Sequence, residues 1–223
     1  VLRTRGLAAV AKKAGRATNE GTVMALVAED GKAGALVELN CETDFVSMNE
    51  KFKAYAEKIA RAALASKPAD LDALKAAEID GETVEAVVTD AIHVMGENTE
   101  LRRFAVVEAD AIASYIHGGG KIGVLVQFSV DGIDPTADAF KTCGHDVAMQ
   151  VAAAAPVAAN RESVDPAVIE HEMSIYKAQA AESGKPEAIQ EKIATGRLEK
   201  FYKENVLTEQ EFVKNPDQSI SEY

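Results

Sequence analysis

The chain has 223 residues, of which 47% are hydrophobic, and carries a formal net charge of −12. This composition predicts a globular protein with a packed core and excludes an intrinsically disordered tail. The acidic balance and the lack of a basic block disfavour nucleic-acid binding, which usually needs a basic face. No apolar run is long enough to cross a membrane, and the two cysteines fit a reducing, cytoplasmic compartment rather than a disulfide scaffold.

The first half of the chain predicts a β-hairpin followed by a long helix. Asp30-Gly31 supplies the positive φ that a tight turn needs, between strands expected over 22–28 and 33–40. Apolar residues then recur at intervals of three and four over 49–66, and Pro68 ends this helix. The remaining elements expected here are a helix over 1–13, helices over 70–77 and 83–95, and a strand over 102–108.

The second half predicts a similar order of elements. Strands expected over 112–116 and 121–130 flank a glycine turn at 118–120. A helix should start at Asp134-Pro135, a capping residue followed by proline, and reach Ala155. A Gly-Lys-Pro break then separates two further helices that we expect to pair antiparallel, over 165–183 and up to 205.

An internal repeat links the two halves. Gly31–Leu39 and Gly120–Phe128 are identical at five of nine positions, at an offset of 89 residues. Two later landmarks repeat at an offset of 88, namely Phe52-Lys53 with Phe140-Lys141 and Pro68 with Pro156. Because the spacing holds at three places, duplication explains it better than a chance likeness between glycine turns. We therefore expect an α+β fold of two related subdomains, each a small antiparallel sheet with packed helices, plus a helical hairpin protrusion.

Four short stretches resemble catalytic or metal-binding motifs, but each lacks an essential part. The glycine run 117–120 has no Gly-x-Ser-x-Gly elbow to accompany it, and the phosphate-loop-like segment 118–122 lacks a Ser or Thr after the Lys. His171-Glu172 lacks the second His of a zinc-protease motif, and the pair Cys143/His145 lacks a second pair of ligands. The sequence therefore predicts a binding or regulatory protein rather than an enzyme, with no metal site.

One loop closely resembles a known family. Glu38–Val46, with the sequence ELNCETDFV, is similar to the signature of the elongation factor Ts family, and Tyr115–Val124 resembles the family's second hairpin. Weaker pieces follow in the family's order, at 148–153, 183–186, 196–201 and 210–213. The resemblance spans essentially the whole chain. Against the family pattern, we expect a fragment that lacks most of an N-terminal helical domain and the C-terminal end.

The resemblance implies a guanine-nucleotide exchange factor that binds elongation factor Tu·GDP, displaces Mg²⁺ and promotes GDP release, without covalent chemistry or a cofactor of its own. In that mechanism the site consists of Thr43, Asp44, Phe45 and Val46. Phe45 would wedge into the nucleotide-binding domain of elongation factor Tu, and Asp44 would help to shift the helix beside the Mg²⁺ site. Composition alone favours a different role, in which Phe45 packs back onto the first turn of the next helix; the resemblance reverses this preference.

The resemblance also implies a second contact, in which Ile122 and Gly123 bind the third domain of elongation factor Tu. The family often has a contacting His where this chain has Gln150, which makes Gln150 a doubtful partner contact. Family members form one-to-one complexes and assemblies of two factors with two partners, so the resemblance allows a dimer or a two-plus-two complex. The expected divisions are 1–15 (end of the N-terminal helical domain), 16–100 and 101–164 (core subdomains), 165–205 (helical protrusion) and 206–223 (return segment toward the core).

Two other functions are compatible with the sequence. The chain could hold elongation factor Tu as a scaffold without exchanging its nucleotide, although the intact signature residues oppose this. It could also be a small enzyme that uses the hairpin around His117, which would need a pocket converging on His117 and a nearby nucleophile. An exposed Phe45 on a rigid loop would oppose the enzyme.

Overall fold

The computed structural model describes residues 2–223, and the chain divides into two compact units, the first ending at Ala152 and the second starting at Ala153. The helices are α1 (Leu2–Lys13), α2 (Asp44–Ser47), α3 (Glu50–Ser66), α4 (Leu71–Ala76), α5 (Val84–Met95), α6 (Asp138–Ala154), α7 (Pro166–Ala181) and α8 (Glu187–Asn205). The strands are β1 (Glu20–Val27), β2 (Ala33–Cys41), β3 (Glu78–Ile79), β4 (Glu82–Thr83), β5 (Glu100–Glu108), β6 (Ala111–His117), β7 (Ile122–Phe128), β8 (Glu211–Phe212) and β9 (Asn215–Ser219). This α+β composition confirms the expected fold class.

A three-stranded antiparallel sheet, in the order β1-β2-β5, lies at the centre of the first unit. Alternate residues of β2 are buried against α3, as the two-residue period of a strand requires, and Val37 and Leu39 join Phe52 and Ile59 in one core cluster. Helix α3 starts where Asn49 accepts a hydrogen bond from the N–H of Lys51 at 2.9 Å. The predicted long helix and its buried face are therefore confirmed.

The β6-β7 hairpin packs on the other face of this sheet. Gly34 of β2 lies against Leu125 of β7, and Gly123 of β7 lies against Leu36 of β2. Since 34 and 123, and 36 and 125, are equivalent positions of the repeat, the two hairpins contact each other in a reciprocal way. This geometry is what a duplicated hairpin would give.

Helix α6 covers the outer face of the second hairpin. The rings of Phe128 and Phe140 meet edge to face with centroids 5.3 Å apart, and Gly144 of α6 lies close to Ala113. Each hairpin thus has one 17-residue helix against its outer face, α3 for the first and α6 for the second.

The second unit is built around the antiparallel pair α7 and α8. The buried residues of this pair are small, Ala180 and Ala194, which lets the two helix backbones approach closely. Arg161 binds both Glu199 and Glu209 and lies 4.3 Å from the centre of the Tyr202 ring. The expected helical hairpin is confirmed, and a short β8-β9 ladder follows it.

Some local expectations were wrong or incomplete. Helix α6 begins at Asp138 rather than at Asp134, because the Asp134 carboxylate accepts from the N–H and hydroxyl of Thr136 and the chain makes a separate turn before the helix. Helix α2 and the β3-β4 pair were not expected. The division expected after residue 100 lies at the start of β5, and the expected divisions stay predictions. Val1, the expected start of the first helix, lies outside the described residues.

Candidate partner-binding site

The Thr43–Val46 segment forms most of α2, a one-turn helix between β2 and α3. Thr43 caps this helix, since its Oγ1 accepts a hydrogen bond from the N–H of Val46 at 3.4 Å. Ser47 is buried, and its hydroxyl donates to the carbonyl of Asp44 at 2.9 Å. Val46 packs against the core cluster. The helix is therefore anchored to the first unit by its cap and by one side.

Phe45 lies on the unanchored side of α2 and is 80% exposed. Met48, three residues later and therefore close to the same face, is 57% exposed. Packing of Phe45 onto the first turn of α3, which composition alone favoured, is not seen. Asp44, the first residue of α2, is also exposed. The arrangement offers two apolar side chains and a carboxylate to the solvent side of a small, well-held helix.

A carboxylate from a distant loop holds the backbone just before α2. Oε2 of Glu97 accepts hydrogen bonds from the N–H groups of Glu42 and Thr43, each at 3.0 Å, and its Oε1 accepts the hydroxyl of Thr43 at 2.6 Å. Sequence reasoning missed Glu97. The sequence feature that could have indicated Glu97 is the preceding Gly96. It ends α5 with a left-handed φ of 76° and turns the chain so that the next residue can reach the loop.

The second predicted contact lies at the start of β7. Ile122 is 42% exposed, whereas Gly123 lies beneath the Leu36 side chain inside the first unit. The glycine turn before it is fixed to β1, because the carbonyl of Gly120 accepts from the N–H of Val23 at 2.8 Å. Ile122 is therefore placed to touch a partner, while the structure gives Gly123 an internal packing role. Their roles as partner contacts stay predictions.

Gln150 of α6 is fully buried in the structure, so its side chain is not at the surface. This geometry does not favour the doubtful partner contact predicted there.

His117 is exposed, and its Nδ1 shares a hydrogen bond with the hydroxyl of Tyr115 at 2.9 Å. Burial raises the pKa of the Cys143 thiol.

The described part of the chain contains no cluster of three or more His, Cys, Asp or Glu residues that could hold a metal ion. Among residues 2–223, no helix combines the length and apolar character needed to cross a membrane. A cavity of about 420 Å³ lies in the first unit and is lined by residues that include Phe140, Lys141 and His145. His117 is not among its lining residues.

Comparison with known proteins identifies the family. Residues 42–223 match the family model described as Elongation factor TS. Curated relatives named Elongation factor Ts include that of Trichlorobacter lovleyi, 47% identical over 100% of this chain and 73% of the relative. Those of Clostridium botulinum strain Alaska E43 (45% identical; 100% and 74% covered) and Clostridium acetobutylicum (47% identical; 99% and 72% covered) are similar. The chain therefore belongs to the elongation factor Ts family of translation elongation factors.

Proposed function

We propose that this chain binds elongation factor Tu·GDP, displaces Mg²⁺ and promotes GDP release so that GTP can rebind. The observation that carries the proposal is the 80% exposure of Phe45 on the short helix held by Thr43, Val46 and Ser47. Phe45 and Met48 are exposed at the same turn, and neighbouring exposed apolar side chains on an ordered element are typical of a partner-binding surface, whereas a single exposed apolar residue is not. The process is an exchange of bound ligands, without covalent chemistry and without a cofactor held by this chain.

The energetic requirement is modest. Each tenfold loss of GDP affinity needs about 1.4 kcal/mol of differential binding. Burial of one apolar ring in the partner can supply about 1.5–3 kcal/mol. Insertion of Phe45 next to the nucleotide site, with Asp44 beside it, would displace the Mg²⁺ ion whose charge neutralises the β-phosphate oxygens. GDP is then held less tightly and leaves.

A second contact would keep the factor bound while Phe45 acts. Ile122, exposed at the start of β7, is the candidate side chain for the third domain of elongation factor Tu. We place this activity in the cytoplasm, in a one-to-one complex or a two-plus-two assembly with the partner. The net charge of −12 fits a protein partner better than a nucleic acid.

The test is release of fluorescent GDP from elongation factor Tu, measured with the wild-type chain, Phe45→Ala and the matched control Val94→Ala. Val94 is also exposed and apolar, but it lies on α5. We expect the wild type and Val94→Ala to accelerate release well above the spontaneous rate and Phe45→Ala to lose most of that acceleration. Tight binding by the wild type without acceleration would support the scaffold function instead.

A further inference from the structure

The loop before α2 and the loop after α5 are joined by two glutamates, Glu42 and Glu97, each of which accepts hydrogen bonds from the other loop. Glu97 accepts three hydrogen bonds from the first loop, two from backbone N–H groups and one from the Thr43 hydroxyl. In return, Oε1 of Glu42 accepts the N–H of Asn98 at 2.6 Å. Asn98 also donates from its amide nitrogen to the carbonyl of Arg16 at 2.8 Å, and the Arg16 guanidinium lies 3.6 Å from the Glu42 carboxylate. Each loop thus supplies a carboxylate to the backbone of the other.

The Thr43 hydroxyl links this exchange to the helix that carries Phe45. A hydroxyl has one hydrogen to donate and lone pairs with which to accept. Donation to Glu97 at 2.6 Å fixes the rotation of the hydroxyl, which leaves its lone pairs to accept the N–H of Val46 at 3.4 Å. Hydrogen bonds to a carboxylate are shorter and stronger than neutral ones, and bonds in series reinforce one another. The cap of α2 therefore depends on a side chain 54 residues away.

We propose that Glu97 is a positioning residue that holds the backbone of Glu42 and Thr43 and the cap of α2, so that Phe45 is presented in one orientation before the partner arrives. Its effect on nucleotide exchange rests on the function proposed above. A side chain that must enter a narrow site gains from being ordered in advance, since the cost of ordering the loop is then not deducted from binding. Glu97 itself need not touch the partner.

The variant that tests this is Glu97→Gln, with Glu85→Gln as the matched control. Glutamine keeps the shape but removes the charge that strengthens all three hydrogen bonds, and its amide group can be met only by the Thr43 hydroxyl, which must then accept instead of donating. Glu85 is an exposed glutamate on α5, so its variant removes the same charge without touching the loop. Glu97→Asp is a second variant that keeps the charge but withdraws the oxygens by one methylene group.

The first readout is hydrogen exchange of the Glu42 and Thr43 amides in the chain without its partner, followed by NMR. We expect both amides to be protected in the wild type and in Glu85→Gln, and to exchange at least about tenfold faster in Glu97→Gln and Glu97→Asp. Amides that exchange like those of an unstructured peptide in the wild type, or equally fast in all variants, would overturn the proposal. Glu97→Gln and Glu97→Asp alter the contact in different ways, so the comparison with the wild type can be made with whichever variant folds.

The second readout is GDP release at saturating factor for Glu97→Gln, Phe45→Ala and the double variant. If Glu97 acts by placing Phe45, Glu97→Gln should slow release about fivefold or more, yet add less than about twofold in the Phe45→Ala background. Equal effects in both backgrounds would mean that Glu97 acts by another route. A wild-type chain that leaves release at the spontaneous rate would contradict the exchange function alone, and amide exchange would still decide whether Glu97 holds the loop.

Discussion

Gly123 of β7 lies directly beneath Leu36 of β2, so that a methyl group on Gly123 would come within 2.6 Å of the Leu36 Cδ1. One repeat earlier, a methyl group on Gly34 would come within 3.2 Å of a Leu125 methyl. Glycine at these two positions allows the two hairpins to pack face to face. Contact between the two hairpins therefore explains why the Gly-x-Leu spacing occurs in both halves of the repeat.

Replacement of Gly123 by alanine should destabilise the first unit by about 1–3 kcal/mol, because the added methyl group overpacks the contact with Leu36. The measurement is denaturant unfolding. Gly196→Ala is the control, since Gly196 lies within α8 and an added methyl group would meet nothing within 4 Å. That variant should be stabilised by about 0.5–1 kcal/mol. Equal stability of Gly123→Ala and the wild type would contradict the packing described.

Met48 should extend the surface formed by Phe45, because both side chains are exposed at the same turn. We expect Met48→Ala to weaken binding to elongation factor Tu by about fivefold, which corresponds to about 1 kcal/mol of lost apolar contact. Its thermal midpoint should stay at the wild-type value, since the side chain buries little in the free chain. Calorimetric titration would check the affinity, and unchanged affinity would remove Met48 from the surface.

Cys41 should make stability fall at alkaline pH. Burial raises the pKa of its thiol to about 11 in the folded chain, from an ordinary value of 9.0, and the negative charge of Glu97 adds to this effect. Between these values the unfolded thiol loses its proton while the folded thiol keeps it. The contribution to stability is therefore fully present below pH 9 and is lost as the pH rises toward 11.

The measurement is the free energy of unfolding from pH 8 to pH 11 for the wild type and Cys41→Ala. The alanine variant lacks this titrating group while all others remain, so the wild type should lose stability more steeply across the window. Parallel profiles would show that the Cys41 thiol titrates alike in the folded and unfolded chain.

Long, regular features were predictable from the sequence. Apolar spacing predicted α3, and the glycine turns predicted both hairpins. The offset of 89 residues predicted that each half has a hairpin followed by a long helix. The start of α6 was predicted wrongly, because Asp134-Pro135 can cap an isolated turn as well as a helix. Local sequence does not distinguish these outcomes.

The site was predictable only in part. The family resemblance of the ELNCETDFV loop predicted Phe45 as a site residue. The structure adds that Phe45 is exposed and that it lies on a short helix. Glu97 could not be found in the same way, because two of its partners are backbone N–H groups 54 and 55 residues earlier in the chain and the third is the Thr43 hydroxyl. Contacts of a side chain with distant backbone leave no periodic pattern in a sequence.

The central claim, that Phe45 couples factor binding to loss of GDP, is tested most directly by a thermodynamic cycle. The affinity of the chain for elongation factor Tu should be measured without nucleotide and with saturating Mg²⁺·GDP, for the wild type and Phe45→Ala. Coupling is reciprocal, so GDP must weaken the binding of the wild-type chain by the same factor by which the chain weakens GDP. The relevant quantity is the affinity without nucleotide divided by the affinity with Mg²⁺·GDP. We expect this ratio to be large for the wild type and at least about tenfold smaller for Phe45→Ala. Equal ratios for the two chains would contradict the account.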